Sequence, residues 1–170
     1  MLIALILLGC PEEETDTSVD TDTSVDTDTS VDTDVGTELT GDATIWTDCG
    51  PADGAALRLS VAQVDGECAV DGSNPRDAHP ITIYLWSDLP TSGALPHTND
   101  LGTEYTVGGS ATYSPTPSGP TFNATAGSVT FTSYTDGVAA AGTWTITLPD
   151  STVLYGDFDA SWCEHTIMCG

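Results

Sequence analysis

Four cysteines in residues 39–170 have the type and spacing for covalent or metal chemistry. They are Cys49, Cys68, Cys163 and Cys169. An even number of cysteines in an exported domain predicts two disulfides. The alternative is a zinc site, because Cys163, His165 and Cys169 place three soft or borderline ligands within seven residues. That spacing is not typical of a zinc knuckle, so we predict disulfides, no metal and no cofactor.

The pairing of these cysteines stays open among three arrangements. Proximity in the sequence favours Cys49 with Cys68 and Cys163 with Cys169. A covalent link between the first and last strands of the domain is equally reasonable on physical grounds.

Four tryptophans offer either core packing or exposed platforms for sugars and apolar ligands. Trp144 lies in register with Ile146 and Leu148, which predicts a core position. Trp86 lies off the apolar face of its predicted strand, beside Tyr84. We therefore predict Trp86 and Tyr84 as the ligand-binding residues.

Histidines and paired carboxylates are the remaining groups suited to catalysis. A serine nucleophile needs a base, and the sequence offers His79, His97 and His165. The first two stand next to prolines, which predicts loop positions. Asp157 and Asp159 share one face of a predicted strand, and glycosidases use two carboxylates. Because neighbouring carboxylates arise by chance in so acidic a chain, we predict no catalytic residue. The alternative function is an extracellular, carbohydrate-active hydrolase.

The charge balance excludes one large class of partners. The 170 residues include 26 acidic and 2 basic side chains, with a formal net charge of −24. Nucleic-acid binding needs Lys or Arg to neutralise phosphates, so the sequence excludes it. Eleven of the acids lie in residues 11–38, and the other 15, less two arginines, leave −13 on residues 39–170.

An apolar run over residues 2–8 opens the sequence and is followed by Gly9 and Cys10. Seven apolar residues are too few to cross a bilayer as a helix, which takes about 20. They predict a short signal peptide over residues 1–9. Leu7-Leu8-Gly9-Cys10 resembles a bacterial lipobox, in which the cysteine is lipidated and becomes the new N-terminus. The resemblance implies a lipid anchor on Cys10 and a membrane as partner. Pro11 replaces the Asp typical of inner-membrane retention, which implies the outer membrane of a bacterial cell envelope.

A hexapeptide repeat follows the cysteine. Thr-Asp-Thr-Ser-Val-Asp occupies residues 15–20, 21–26 and 27–32 without change. One valine in each copy provides too little apolar surface to offset the entropy of ordering. We predict a disordered acidic linker over residues 10–38, with at most weak Ca²⁺ binding, because the repeat lacks the glycine of a tight calcium loop.

The rest of the sequence alternates in short runs that predict β-strands. Strands are expected around Leu57–Leu59–Val61, Ile81–Ile83–Leu85 and residues 129–134. A hairpin is expected between residues 144–148 and 153–158, with a bulge at Gly156. Residues 90–103 read as a long loop. We predict an all-β, antiparallel β-sandwich or small barrel over residues 39–170.

Three closing runs resemble the last hairpins of uncharacterised bacterial envelope lipoproteins of myxobacteria-like lineages: Gly127-Ser-Val-Thr-Phe-Thr, Gly142-Thr-Trp-Thr-Ile-Thr-Leu and Gly156-Asp-Phe-Asp-Ala-Ser-Trp-Cys163. The resemblance implies an all-β domain on an acidic tether and carries no activity with it. The expected function is therefore that of an envelope lipoprotein presenting a disulfide-bonded β domain for binding or scaffolding. Its ligand is expected to be an envelope protein or a polysaccharide.

Overall fold

The computed structural model describes residues 36–63, 68, 81–103, 107–116, 119–164 and 169. Within them the chain forms ten strands: β1 (Thr37–Glu38), β2 (Asp42–Cys49), β3 (Ala55–Gln63), β4 (Ile81–Leu85), β5 (His97–Gly102), β6 (Gly109–Tyr113), β7 (Phe122–Asn123), β8 (Ala126–Thr135), β9 (Ala139–Thr147) and β10 (Val153–Trp162). The predicted signal peptide, Cys10 and the acidic repeat lie outside the described residues, as do His79 and His165. In the described part, no helix has the length and apolar character needed to cross a membrane.

Eight of these strands form a sheet that closes on itself. The order runs β10–β2–β3–β4–β6–β5–β8–β9, and β9 pairs again with β10. One edge of β10 is shared, since Leu154 and Tyr155 pair with β1 while residues 160–162 pair in parallel with β2. The fold is therefore all-β, and of the two predicted architectures the structure has the barrel and not the sandwich. The closing contact joins strands that are far apart in the sequence, so local alternation does not reveal it.

The core lies inside this barrel and follows the predicted alternation. β3 and β4 supply the apolar sets that the sequence predicted, and Trp144 is 3 % exposed beside Ile146. Phe131 of β8 and Phe158 of β10 meet edge to face, with ring centroids 5.5 Å apart. The largest fully buried apolar side chains are Phe131, Ile45, Leu59, Ile81, Ile83, Leu85, Ile146, Val61 and Val129.

Two glycines make room for the aromatic residues of the core. Gly142 pairs with Phe158 on one side and with Phe131 on the other. A Cβ atom at Gly142 would meet the backbone oxygen of Thr130 and would lie 3.0 Å from Phe158 Cε1. At Gly156 it would lie 3.1 Å from Trp144 Cζ2. Both glycines therefore serve close packing, and the predicted bulge at Gly156 is wrong, because β10 pairs with β9 without a register shift.

The predicted loop over residues 90–103 is also wrong, because β5 lies within it and pairs with β8. Its sequence, His-Thr-Asn-Asp-Leu-Gly, shows no apolar alternation. Asn99, a polar residue, takes a buried position that a strand pattern assigns to an apolar side chain. The predicted hairpin between β9 and β10 is confirmed.

Candidate ligand-binding site

The aromatic pair predicted from the sequence lies on the outer face of the barrel. Tyr84 is in β4, paired with Arg58 of β3 and with Ser110 of β6. Trp86 follows the last residue of β4, and its ring centroid lies 5.4 Å from that of Tyr84, with the ring planes tilted by 56°. Both side chains are half-buried. The alternation of Ile81, Ile83 and Leu85 into the core turns these two rings outward.

Several polar contacts fix the side chain of Tyr84. Its hydroxyl donates a hydrogen bond to the carbonyl oxygen of Cys49. Its ring lies 5.3 Å from Arg58 Cζ, within the range of a cation–π contact. Arg58 is paired with Asp48 at 2.6 Å, and the other oxygen of Asp48 accepts the Cys49 N–H at 2.8 Å. The backbone of Cys49 therefore contacts both Tyr84 and Asp48. The charge of Arg58 is balanced by that of Asp48.

The backbone around Trp86 is fixed from two directions. The N–H groups of Trp86 and Ser87 both donate to the carbonyl oxygen of Gly108, at 3.1 and 3.4 Å. The buried Asn99 donates from Nδ2 to the carbonyl oxygens of Ser87 and Asp88, at 3.1 and 3.0 Å. This role of Asn99 could not be predicted from the sequence, because a polar residue in an apparent loop does not indicate a buried position in a strand.

A cavity of about 310 Å³ lies against the two rings. It is close to the point where β6 changes partner, from β5 at Gly109 to β7 at Thr112. Besides the rings, its wall includes the polar residues Thr103, Ser110 and Asn123. Aromatic surface with a few convergent polar groups is typical of small-molecule sites, and the volume falls at the low end of their usual range of about 300–1,000 Å³.

All four predicted cysteines form disulfides, which overturns the zinc alternative. The pairs are Cys49 with Cys169 and Cys68 with Cys163, with Cα–Cα distances of 5.6 and 5.4 Å. The pairing favoured by proximity is wrong, because β2 and β10 become neighbours only when the barrel closes. Two disulfides indicate an oxidising, extracytoplasmic compartment.

Among the candidate catalytic groups that the structure describes, it does not bring His97 together with Asp157 and Asp159. Asp157 and Asp159 point outward from β10 and are exposed. His97 begins β5, contrary to its predicted loop position, and its Nε2 atom contacts the carbonyl oxygen of Asp88. Two strands, β8 and β9, separate β5 from β10 on this side. Within the described part of the chain, no group of three or more His, Cys, Asp or Glu side chains has the arrangement of a metal site.

The geometry of this aromatic cavity is accordingly the basis for a functional assignment. No protein-family model, curated protein or solved structure matches the chain.

Proposed function

We propose that the protein is a lipid-anchored protein of a bacterial cell envelope whose barrel binds carbohydrate at the aromatic cavity. The observation that carries this proposal is the position of Tyr84 and Trp86, which face outward beside a cavity with hydroxyl and amide groups in its wall. Aromatic rings of this type present an apolar face to a ligand, and here the hydroxyl of Tyr84 is held by the carbonyl oxygen of Cys49. A sugar ring has the matching chemistry, with C–H groups on its faces and hydroxyls at its edge.

The charge of the chain narrows the class of carbohydrate. Residues 39–170 have a formal charge of −13, and Arg58 is already paired with Asp48. A strongly negative domain repels anionic ligands over a range set by the ionic strength. We therefore expect a neutral or amino-substituted glycan and not an acidic one.

The anchor is supported by the sequence and by the redox compartment. The apolar run is followed by Gly9 and the lipobox-like Cys10, and two disulfides are typical of a domain outside the cytoplasm. More than one acyl chain is needed for stable membrane attachment, as lipidation of such a cysteine would supply. The predicted linker could extend to about 90–100 Å at about 3.3–3.6 Å per residue.

Membrane fractionation of cells that express the wild type or Cys10→Ser tests the anchor. The wild type is expected in the outer-membrane fraction and the variant in the soluble fraction. Equal partitioning of the two proteins would refute lipid anchoring without affecting the carbohydrate proposal.

Calorimetric titration with neutral, amino-substituted and acidic oligosaccharides of the bacterial envelope tests the binding site. Trp86→Ala is expected to weaken binding by at least about tenfold, the usual effect of removing a central aromatic residue. Tyr155→Ala is the matched control, because Tyr155 is 41 % exposed on another part of the barrel surface. Equal losses for both variants, or binding of none of the glycans, would contradict the proposal.

A further inference from the structure

A second cavity, which we call the end pocket, lies between the start of β3, residues 89–92 and the β8–β9 turn. Its volume is about 400 Å³. Leu57, Pro90 and Tyr134 are buried in its wall, and Leu89 is half-buried there. Asp136 is the one charged side chain in the described lining. The end pocket therefore combines an apolar interior with a single carboxylate.

Tyr134 holds that carboxylate in place. Its hydroxyl donates to Asp136 Oδ1 at 3.1 Å. Its ring is 8 % exposed and packs edge-on against Phe131 and Trp162, with centroid distances of 6.1 and 6.4 Å. Burial and then the contact with Asp136 raise the pKa of Tyr134, so the hydroxyl keeps its proton and remains a donor. The carboxylate consequently has a defined position beside the apolar wall.

Asp136 has no cationic partner among the described residues. Arg58, the one arginine of the described part, is paired with Asp48, and His97 lies beside Asp88. A carboxylate next to an apolar cavity attracts a cation, while the cavity wall favours a ligand with hydrocarbon surface. These two requirements are met together by an ammonium group on an aliphatic stem.

We infer that the end pocket binds an alkylammonium group, which is the chemistry of a lysine side chain and of a small free amine. The ammonium lies at the second oxygen of Asp136, because Tyr134 occupies the first. The methylene groups lie against Leu57, Leu89 and Pro90. This site is separate from the aromatic cavity and does not depend on carbohydrate binding.

Titration of the full-length, oxidised chain with butylammonium, hexylammonium and hexanol tests the inference. Burial of each added methylene is expected to tighten binding by about fourfold. Hexylammonium is expected to bind about fivefold more tightly than hexanol at low salt, the upper range for an exposed ion pair. Nα-acetyl-lysine amide distinguishes the two sources, since a site for a partner's lysine accepts it as well as butylammonium and a site for small amines rejects it.

Asp136→Asn is expected to reduce hexylammonium binding to the level of hexanol, whereas Asp150→Asn is expected to leave it unchanged. Asp150 is a matched control, because it is also an exposed turn carboxylate and lies beyond the other end of β9. Tyr134→Phe keeps the ring and is expected to give a smaller loss, since the carboxylate is then less fixed. Equal affinities for hexylammonium and hexanol in the wild type would overturn the inference. So would the absence of binding for all the amines at millimolar concentration.

Discussion

Gly142 offers a direct test of how the barrel core is packed. Gly142 lies in β9, between Phe131 of β8 and Phe158 of β10. A methyl group at this position would meet the backbone carbonyl of Thr130, with the Thr130 carbon 2.9 Å away and Phe158 Cε1 3.0 Å away. A backbone carbonyl in a paired strand cannot rotate aside, so Gly142→Ala forces the neighbouring strand or the aromatic pair to move.

The cost follows from two opposing effects. Adding a methylene-sized group to a packed core costs about 1–3 kcal/mol, and contact with backbone favours the upper part of this range. Replacing glycine by alanine also restricts the unfolded chain, which returns about 0.4–1 kcal/mol. The net loss is therefore about 2 kcal/mol. With an unfolding entropy of about 2.1 cal/mol/K per residue over about 130 residues, this lowers Tm by about 7 °C.

Thermal unfolding of the oxidised protein, followed by near-UV circular dichroism, measures this loss. Gly93→Ala is the control, because a Cβ at Gly93 meets nothing within 4 Å. That variant keeps only the effect on the unfolded chain and is expected to raise Tm by about 1.5–4 °C. If the two variants melt within 1 °C of each other, close packing does not explain the glycine at 142.

Three further results are expected. Since the pKa of Tyr134 is raised above its ordinary value of 10.0, the stability that its protonated hydroxyl contributes is complete below about pH 10 and is lost as the pH rises further. Tyr134→Phe should therefore make the denaturation midpoint less dependent on pH between about 10 and 12, and an unchanged slope would count against this origin. Asn99→Ala removes two partly buried hydrogen bonds to the backbone after Trp86 and is expected to cost about 2 kcal/mol in urea unfolding; it should also weaken the proposed glycan binding, and full binding would show that Asn99 does not position Trp86. The disulfides are nested, with separations of 120 and 95 residues, so the two together close a loop of 25 residues. Replacing either pair by serines opens this same loop and is expected to lower the free energy of unfolding by nearly the same amount, about 3.5 kcal/mol in the chain-entropy model. Clearly unequal losses in Tm would refute that account.

The sequence predicts those elements whose environment is visible in local alternation. β3, β4 and the β9–β10 hairpin alternate cleanly, and Trp144 follows the same pattern into the core. β8 alternates only as far as Phe131, after which its pairing with β9 shifts register and Tyr134 becomes the next buried residue. β5 could not be predicted, because its buried Asn99 reads as a loop residue. The pair of Tyr84 and Trp86 could be selected because both lie off an apolar face. Their surroundings could not, since Arg58 and Ser110 reach Tyr84 only through the register of three strands.

The disulfide pairing connects the closure of the barrel to the aromatic cavity. The contact between β10 and β2 spans only residues 160–162 and 43–45, and the N–H of Cys163 extends it to the carbonyl oxygen of Ile45 at 2.8 Å. Each disulfide has one cysteine on a strand of this contact or next to it, since Cys163 directly follows β10 and Cys49 ends β2, four residues after Ile45. The carbonyl oxygen of Cys49 in turn accepts the hydroxyl of Tyr84. Because so short a parallel contact is a weak way to close a sheet, the covalent links hold in place the strand end on which Tyr84 depends. Reduction is therefore expected to loosen the aromatic cavity before it unfolds β8 and β9, whose long antiparallel pairing does not involve a cysteine.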